Sequence, residues 1–367
     1  MKKILLIAES DSSNLGDQLI SELIYELCKK FADTKIEQYP ISHARHYFIV
    51  KAIYKIAHWL HLDYIYDYSV QLATYLCIKN KIDKDTFIIF SGGQMFINYF
   101  MDPIISILKY SAKKGAAVYF NACGSGDINE HYRKQIQPYL KNCEISLRDS
   151  VEQFKAIAPN AYYRPDIAIT TSKIFPIEKS QSQSNTIGWG VINTIAYNFH
   201  NRETPITDEW YLECSHKAIL DIINKEQCRV EIFTNGGEVD YKWAQMLKEK
   251  FSDNPQVTLA PRPTNVSMLL NDINKYRYIV ASRMHALIIA YSYKIPFIAL
   301  RWENKIDDFA RQTNCTQRVW DISKMEEINW ETIIEELRSN GLDLDIHKEL
   351  QSKALEGMKN ISEKIKE

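Results

Sequence analysis

Tyr278-Ile279-Val280-Ala281-Ser282-Arg283-Met284-His285-Ala286-Leu287-Ile288-Ile289-Ala290-Tyr291 is the stretch on which the fold turns. Its first four residues form a short, β-rich apolar run, the pattern of a strand buried on both faces. Ala286 to Tyr291 is apolar again and predicts a helix. Between the two, Arg283 and His285 stand at a strand-to-helix turn. A helix N-terminus offers unsatisfied N–H groups and a positive partial charge. The arginine fork suits phosphate or carboxylate, and histidine can donate to an oxyanion or move a proton near neutral pH. The turn predicts an anion site; a histidine that only caps the turn is the structural alternative.

The same pattern repeats outward in both directions. Lys3 to Ala8 reads as a buried strand, followed by Asn14-Leu15-Gly16-Asp17 and a helix with Leu19, Ile20, Leu23, Ile24 and Leu27 on one face. Thr86 to Phe90 ends in Ser91-Gly92-Gly93-Gln94, Ala116 to Asn121 in Cys123-Gly124-Ser125-Gly126, and Glu144 to Leu147 in Arg148-Asp149-Ser150. The polar stretch Glu178 to Asn185 reads as a linker, after which the pattern restarts. Thr186 to Ile192 ends at Asn193, Arg229 to Phe233 in Thr234-Asn235-Gly236-Gly237, and Pro296 to Leu300 near Arg301-Trp302-Glu303-Asn304-Lys305. Strand-then-helix order predicts parallel sheets with helices on both faces. A chain of 367 residues suits two such domains. The expected class is α/β, with two Rossmann-like domains facing a cleft. The N-terminal domain covers 1–177, the C-terminal domain 186–325, and a charged helical tail 326–367.

Composition removes several function classes. The net charge of −1 gives no global basic field, so nucleic acid is not an expected partner. The seven cysteines are odd in number and lack a C-x-x-C pair, which predicts reduced thiols and neither a disulfide framework nor a zinc site. No cluster of His, Asp and Glu has metal-ligand spacing. The opening apolar run, Ile4 to Ala8, is shorter than a signal-peptide core, and no stretch reaches the roughly eighteen apolar residues of a membrane span. A cytoplasmic protein is the expectation.

Residues 43–81 stand apart. They carry Tyr47, Phe48, Tyr54, Trp59, Tyr64, Tyr66, Tyr68 and Tyr75, with Arg45, Lys51, Lys55, Lys79 and Lys81 against Asp63 and Asp67. Two readings stay open. One is a helical insertion that packs its aromatics into a core. The other is a surface for sugar stacking or for peripheral contact with the inner membrane surface.

In open α/β sheets, ligands sit beyond the carboxyl ends of the strands. That rule collects Asn14, Gly16, Asp17, Gly92, Gly93, Gln94 and Arg148 from the first half, and Asn193, Asn235, Gly236, Arg283, His285 and Lys305 from the second. Asp17 reads either as a helix N-cap or as a general base. Gly92-Gly93 suits close backbone approach to a phosphate or sugar. Neither a P-loop nor a G-x-G-x-x-G fingerprint is present.

Taken in order, these motifs resemble the polysaccharide pyruvyl transferase family, from about Lys3 to Phe309. The resemblance rests on Asn14-Leu15-Gly16-Asp17, Ser91-Gly92-Gly93-Gln94, Leu147-Arg148-Asp149-Ser150 and Arg164-Pro165-Asp166. Ser282-Arg283-Met284-His285-Ala286, Pro296 to Leu300 and Asn304 to Phe309 complete it. Gln94 departs from it, because the family usually shows a third glycine there.

The resemblance implies a GT-B-like fold and transfer of a pyruvyl group from phosphoenolpyruvate to sugar hydroxyls, usually as a cyclic ketal. Phosphoenolpyruvate is then a donor substrate, and no cofactor or metal is called for. The implied acceptors are capsule, exopolysaccharide or cell-wall glycans, often on a lipid carrier. The donor, with its phosphate and carboxylate, needs cations: Arg283 and Arg148 first, then Lys305. His285 is assigned to donor binding and acid duty, and Asp17 to acceptor hydroxyls. A GT-B glycosyltransferase with a nucleotide-sugar donor is the alternative, with Glu303 as its ribose-binding carboxylate.

Overall fold

Strands buried on both faces need apolar residues throughout, and the central strands have them. Ile4 to Ala8 are buried without a break, as are Ile88 to Phe90 and all four residues Tyr278–Ala281. The structure is a computed structural model that describes residues 2–31, 34–178, 185–339 and 341–366. Most of the expected linker, 179–184, lies outside the described residues.

Among the described residues, seven strands form the first sheet: β1 (Lys2–Ala8), β2 (Thr34–Pro40), β3 (Thr86–Phe90), β4 (Gly93–Phe96), β5 (Ala117–Ser125), β6 (Glu144–Leu147) and β7 (Tyr162–Tyr163). Their order is β2-β1-β3-β5-β6-β7, with β4 also paired to β5, and every pairing is parallel. Six strands form the second: β8 (Thr186–Gly190), β9 (Arg229–Phe233), β10 (Val257–Leu259), β11 (Tyr278–Ala281), β12 (Phe297–Arg301) and β13 (Val319–Asp321). Their order is β10-β9-β8-β11-β12-β13, again all parallel. The expected α/β class with two parallel-sheet domains is what the chain adopts.

Two local readings change. Cys123-Gly124-Ser125, expected as a loop, continues β5 to Ser125. The cause is β4, which aligns Gly93 with Cys123 and Phe96 with Ser125 and so gives the extension a ladder partner. Helix α1 (Leu15–Cys28) starts before Asp17. Asn14 Oδ1 accepts the Gly16 N–H at 3.1 Å, so Asn14 and not Asp17 fills the capping role.

The chain divides into two compact units. One comprises residues 1–12, 17–167 and 351–367; the other comprises 13–16 and 168–350. The break thus falls at Ile167/Ala168, upstream of the expected linker. The helical tail is shared: Trp330–Ser339 lies in the second unit, and Leu344–Lys366 passes from the second to the first at Gln351. In the first unit that last helix is held by Arg164, which donates to the Lys353 carbonyl at 2.9 Å, and by a Lys364–Glu144 ion pair.

The core of the first unit includes Leu5, Ile7, Ile88, Phe90, Phe120, Ile145 and Leu147, with Phe90 and Phe120 stacked 4.2 Å apart. In the second unit, helix Met284–Ser292 has all nine residues buried. A helix apolar on every side belongs inside, and this one sets the turn that precedes it.

Candidate functional site

The second sheet reverses its direction of growth between β8 and β11. That reversal is where an open α/β sheet holds a ligand. Asn193 follows β8 and Arg283 follows β11. One carboxylate ties them together. Asp240, buried in the first turn of helix Glu238–Glu249, accepts the Asn193 backbone N–H at 3.0 Å and its Nδ2 at 2.6 Å. It also accepts Arg283 Nε at 2.8 Å and Nη2 at 2.9 Å, a bidentate pair. Three of these four N–H donors end on Oδ1 and one on Oδ2. Asn193 itself caps helix Thr194–His200, accepting the Ala196 N–H at 2.8 Å.

Arg283 is therefore not the open fork that the sequence predicts. One edge of its guanidinium is spent on Asp240, and its side chain keeps 25% exposure. Its Cζ lies 5.5 Å from the Trp302 ring, and Lys305 Nζ lies 5.4 Å from the same ring. Trp302 is fixed by its indole N–H, which donates to the Ser282 carbonyl at 2.9 Å. Lys305 also pairs with Glu303 at 2.6 Å. Both cations are thus answered locally and positioned over one aromatic ring.

His285 is buried, one residue into helix Met284–Ser292. The N-terminal motif lies against it. A Cβ placed on Gly16 would stand 2.2 Å from His285 Nδ1, so only glycine fits. The Leu15 N–H donates to the Asn235 carbonyl at 3.1 Å. Gly236 takes φ +94°, and a Cβ there would meet Leu15 Cγ at 2.7 Å. Asn14, Gly16, Asn235, Gly236 and His285, scattered in the sequence, thus meet in the second unit.

Gly92, Gly93, Gln94, Arg148 and Asp17 belong to the first unit. Arg148 is 3% exposed, ion-paired to Asp166 and 3.6 Å from Asp149, with Gln94 Oε1 3.5 Å from its Nη2. Burial works against its charge, but Asp166 and Asp149 more than offset this and raise its pKa above the ordinary guanidinium value. Arg148 is thus buried between Asp166 and Asp149. Gln94 lies over β5, its Oε1 only 2.8 Å from where a Gly124 Cβ would be. Gly92 and Gly93 take φ +115° and +80°, a left-handed path that carries the chain from β3 into β4. Asp17 is half-buried and accepts the Ser12 hydroxyl at 3.2 Å.

Asp240, Trp302 and Asp166 were not picked out as site residues. Asp240 had a signal: it lies a few residues past the Asn235-Gly236 turn, in the first turn of the next helix. All seven cysteines are free thiols. Burial pushes Cys28 and Cys143 up to about 12, which makes them poor nucleophiles. Among the described residues no group of His, Cys, Asp and Glu could hold a metal ion.

A sequence model of the polysaccharide pyruvyl transferase family matches residues 14–304. No curated protein sequence matches the chain. Solved structures share the fold at low identity. The UDP-GlcNAc 2-epimerase from Neisseria meningitidis bound to UDP-GlcNAc is 12% identical with a TM-score of 0.56, covering 99% of each chain. The UDP-GlcNAc 2-epimerase from Methanocaldococcus jannaschii is 11% identical with a TM-score of 0.54, covering 93% of this chain and 100% of its own. An α,α-trehalose-phosphate synthase (UDP-forming) from Burkholderia xenovorans, in complex with glucose-6-phosphate, is 8% identical with a TM-score of 0.55 over 100% of both chains. The fold is therefore GT-B-like.

Proposed function

The chain belongs to the polysaccharide pyruvyl transferase family, and from that premise we propose that it moves a pyruvyl group from phosphoenolpyruvate to two hydroxyls of a glycan, forming a ketal. The observation that carries this reading is the turn Ser282 to His285 at the reversal point of the second sheet, with Gly16 pressed against His285.

The chemistry assigns work to those groups. A proton adds to the methylene carbon of the donor, and C2 becomes oxocarbenium-like. One hydroxyl adds to C2, the C2–O bond to phosphate breaks, and the second hydroxyl closes the ketal. The two hydroxyl protons balance the proton gained by the methyl group and the one that leaves on phosphate. His285 is our candidate for binding the donor and delivering the proton. Arg283, held by Asp240, and Lys305 face the charge of the donor. Asp17, one residue beyond Gly16 in the chain, is the candidate to accept a hydroxyl proton. Phosphoenolpyruvate is a substrate in this scheme, and no cofactor takes part.

A nucleotide-sugar donor is the second reading. The Neisseria meningitidis neighbour, which holds UDP-GlcNAc, favours it. Thermal shift separates the two, since a ligand that binds only the native state raises its melting temperature. Phosphoenolpyruvate should stabilise the protein and UDP- and GDP-sugars should not. Stabilisation by a nucleotide-sugar alone would refute the transfer proposed here.

A further inference from the structure

Residues 43–81 fold as a 3₁₀ turn (His43–His46) followed by two helices, α2 (Phe48–Trp59) and α3 (Asp63–Ile78). The helical expectation holds, but the aromatics do not enter a core. Phe48 is 85% exposed, Trp59 79%, and Tyr64 and Tyr68 67% each. Their spacing orders them. On α2, Phe48, Ile56 and Trp59 fall on one outward stripe; on α3, Tyr64, Tyr68 and Leu72 do the same. The opposite faces are buried through Val50 and Ala57 on α2 and through Val70, Thr74 and Ile78 on α3. Soluble monomers scatter exposed apolar residues singly, whereas a contiguous patch marks an interaction surface.

Charge identifies the occupant. Lys51, Lys55 and His58 flank the α2 stripe, all exposed, and α2 carries no acidic residue. The segment's acids, Asp63 and Asp67, both belong to α3. Arg45, counted with the cations in the sequence, is buried instead. It donates to Tyr66 and to the Tyr99 carbonyl at 2.6 Å each and pairs with Asp102 at 3.3 Å, fastening the base of the hairpin. A second copy docked with α2 against α2 would bring the α2 lysines together without a carboxylate on either helix to answer them. Anionic headgroups answer them directly, while Trp and Tyr suit the boundary between headgroup and acyl chain. We propose that the α2–α3 hairpin lies in the surface of an anionic bilayer, with its apolar stripes in the interface and Lys51 and Lys55 at headgroup level. No described helix is long and apolar enough to cross a membrane.

Co-sedimentation of the full chain with vesicles tests this. Binding is expected to vesicles of phosphatidylcholine with about a quarter phosphatidylglycerol, to weaken with salt, and to be far weaker for phosphatidylcholine alone. Phe48→Ser combined with Trp59→Ser should weaken it at least about tenfold, with circular dichroism unchanged. Lys51→Glu combined with Lys55→Glu should weaken it by a similar factor on the anionic vesicles only. Three results would overturn the proposal: no binding by the unaltered protein, equal binding to both vesicle types, or a dimer that the Phe48/Trp59 variant turns into monomer.

Discussion

Arg148 and Arg283 each follow a strand, one in each unit, and they differ in what surrounds them. Arg148, after β6, is 3% exposed and lies between Asp166 and Asp149. Arg283, after β11, keeps 25% exposure, is held along one edge by Asp240, and lies over Trp302. From the sequence both read as cations for an anionic donor. Burial distinguishes them. A charge between two buried carboxylates is enclosed by the fold, whereas one clamped along a single edge beside a ring keeps part of its guanidinium open. Strand-end position tells where a ligand can sit, but not which cation meets it.

The largest expected effect breaks the comparison at Arg148. Arg148→Ala leaves Asp166 and Asp149 buried without their counter-charge, a loss of about 3–5 kcal/mol. Urea denaturation should show the drop in midpoint whether or not phosphoenolpyruvate is present. A variant with normal stability but no phosphate release would reverse the roles given to the two arginines.

The complementary change is His285→Ala or Arg283→Ala. Either should lower phosphate release from phosphoenolpyruvate by roughly two orders of magnitude or more, by loss of charge stabilisation or of the proton donor. The denaturation midpoint should also fall for Arg283→Ala, because buried Asp240 loses its charged partner, but by less than for Arg148→Ala, because the two Asn193 N–H donors remain on Asp240. Retained turnover in both variants would remove the second unit's turn from the chemistry.

Gly16→Ala sharpens the contrast from the side of the N-terminal motif. The new methyl group would stand 2.2 Å from His285 Nδ1, so the ring or the loop must move. Overpacking of this kind costs about 1–3 kcal/mol. Turnover should fall with it, because the displaced group is the proposed acid. Unchanged turnover would mean that the Gly16–His285 approach serves packing alone.

The fold was legible where strands are buried on both faces. β3, β6, β9 and β11 read off the sequence with their observed ends, because apolar runs bounded by polar residues leave little choice. The edges were not legible. β2, β7, β10 and β13 were missed because an edge strand half-open to water need not be apolar; Thr34-Lys35-Ile36-Glu37 shows no such run. In the site, residue types were read correctly and their partners were not. Nothing in a linear sequence says that Asp240 closes on Arg283 or that Asp166 closes on Arg148, since each pair is 18 or more residues apart. The aromatic segment shows the same limit: its composition fits both a core and a surface, and exposure decides for the surface.

Asp240→Asn carries the smallest expected effect and asks the most specific question. The amide keeps the size of the carboxylate and can still accept through its oxygen, so the Asn193 contacts survive in part. It offers Arg283 no charge and only one acceptor where two N–H bonds ended. The stability cost should be about 1–2 kcal/mol, that of a weakened buried hydrogen bond. Kinetics separate two roles for Asp240. If it aims Arg283 at the reacting group, kcat should fall about tenfold, or 1.4 kcal/mol. KM for phosphoenolpyruvate should hold or drop, since a guanidinium freed of its carboxylate still attracts the donor. A raised KM with unchanged kcat would instead make Asp240 a neutral scaffold, and Arg283 would then differ from Arg148 in exposure alone.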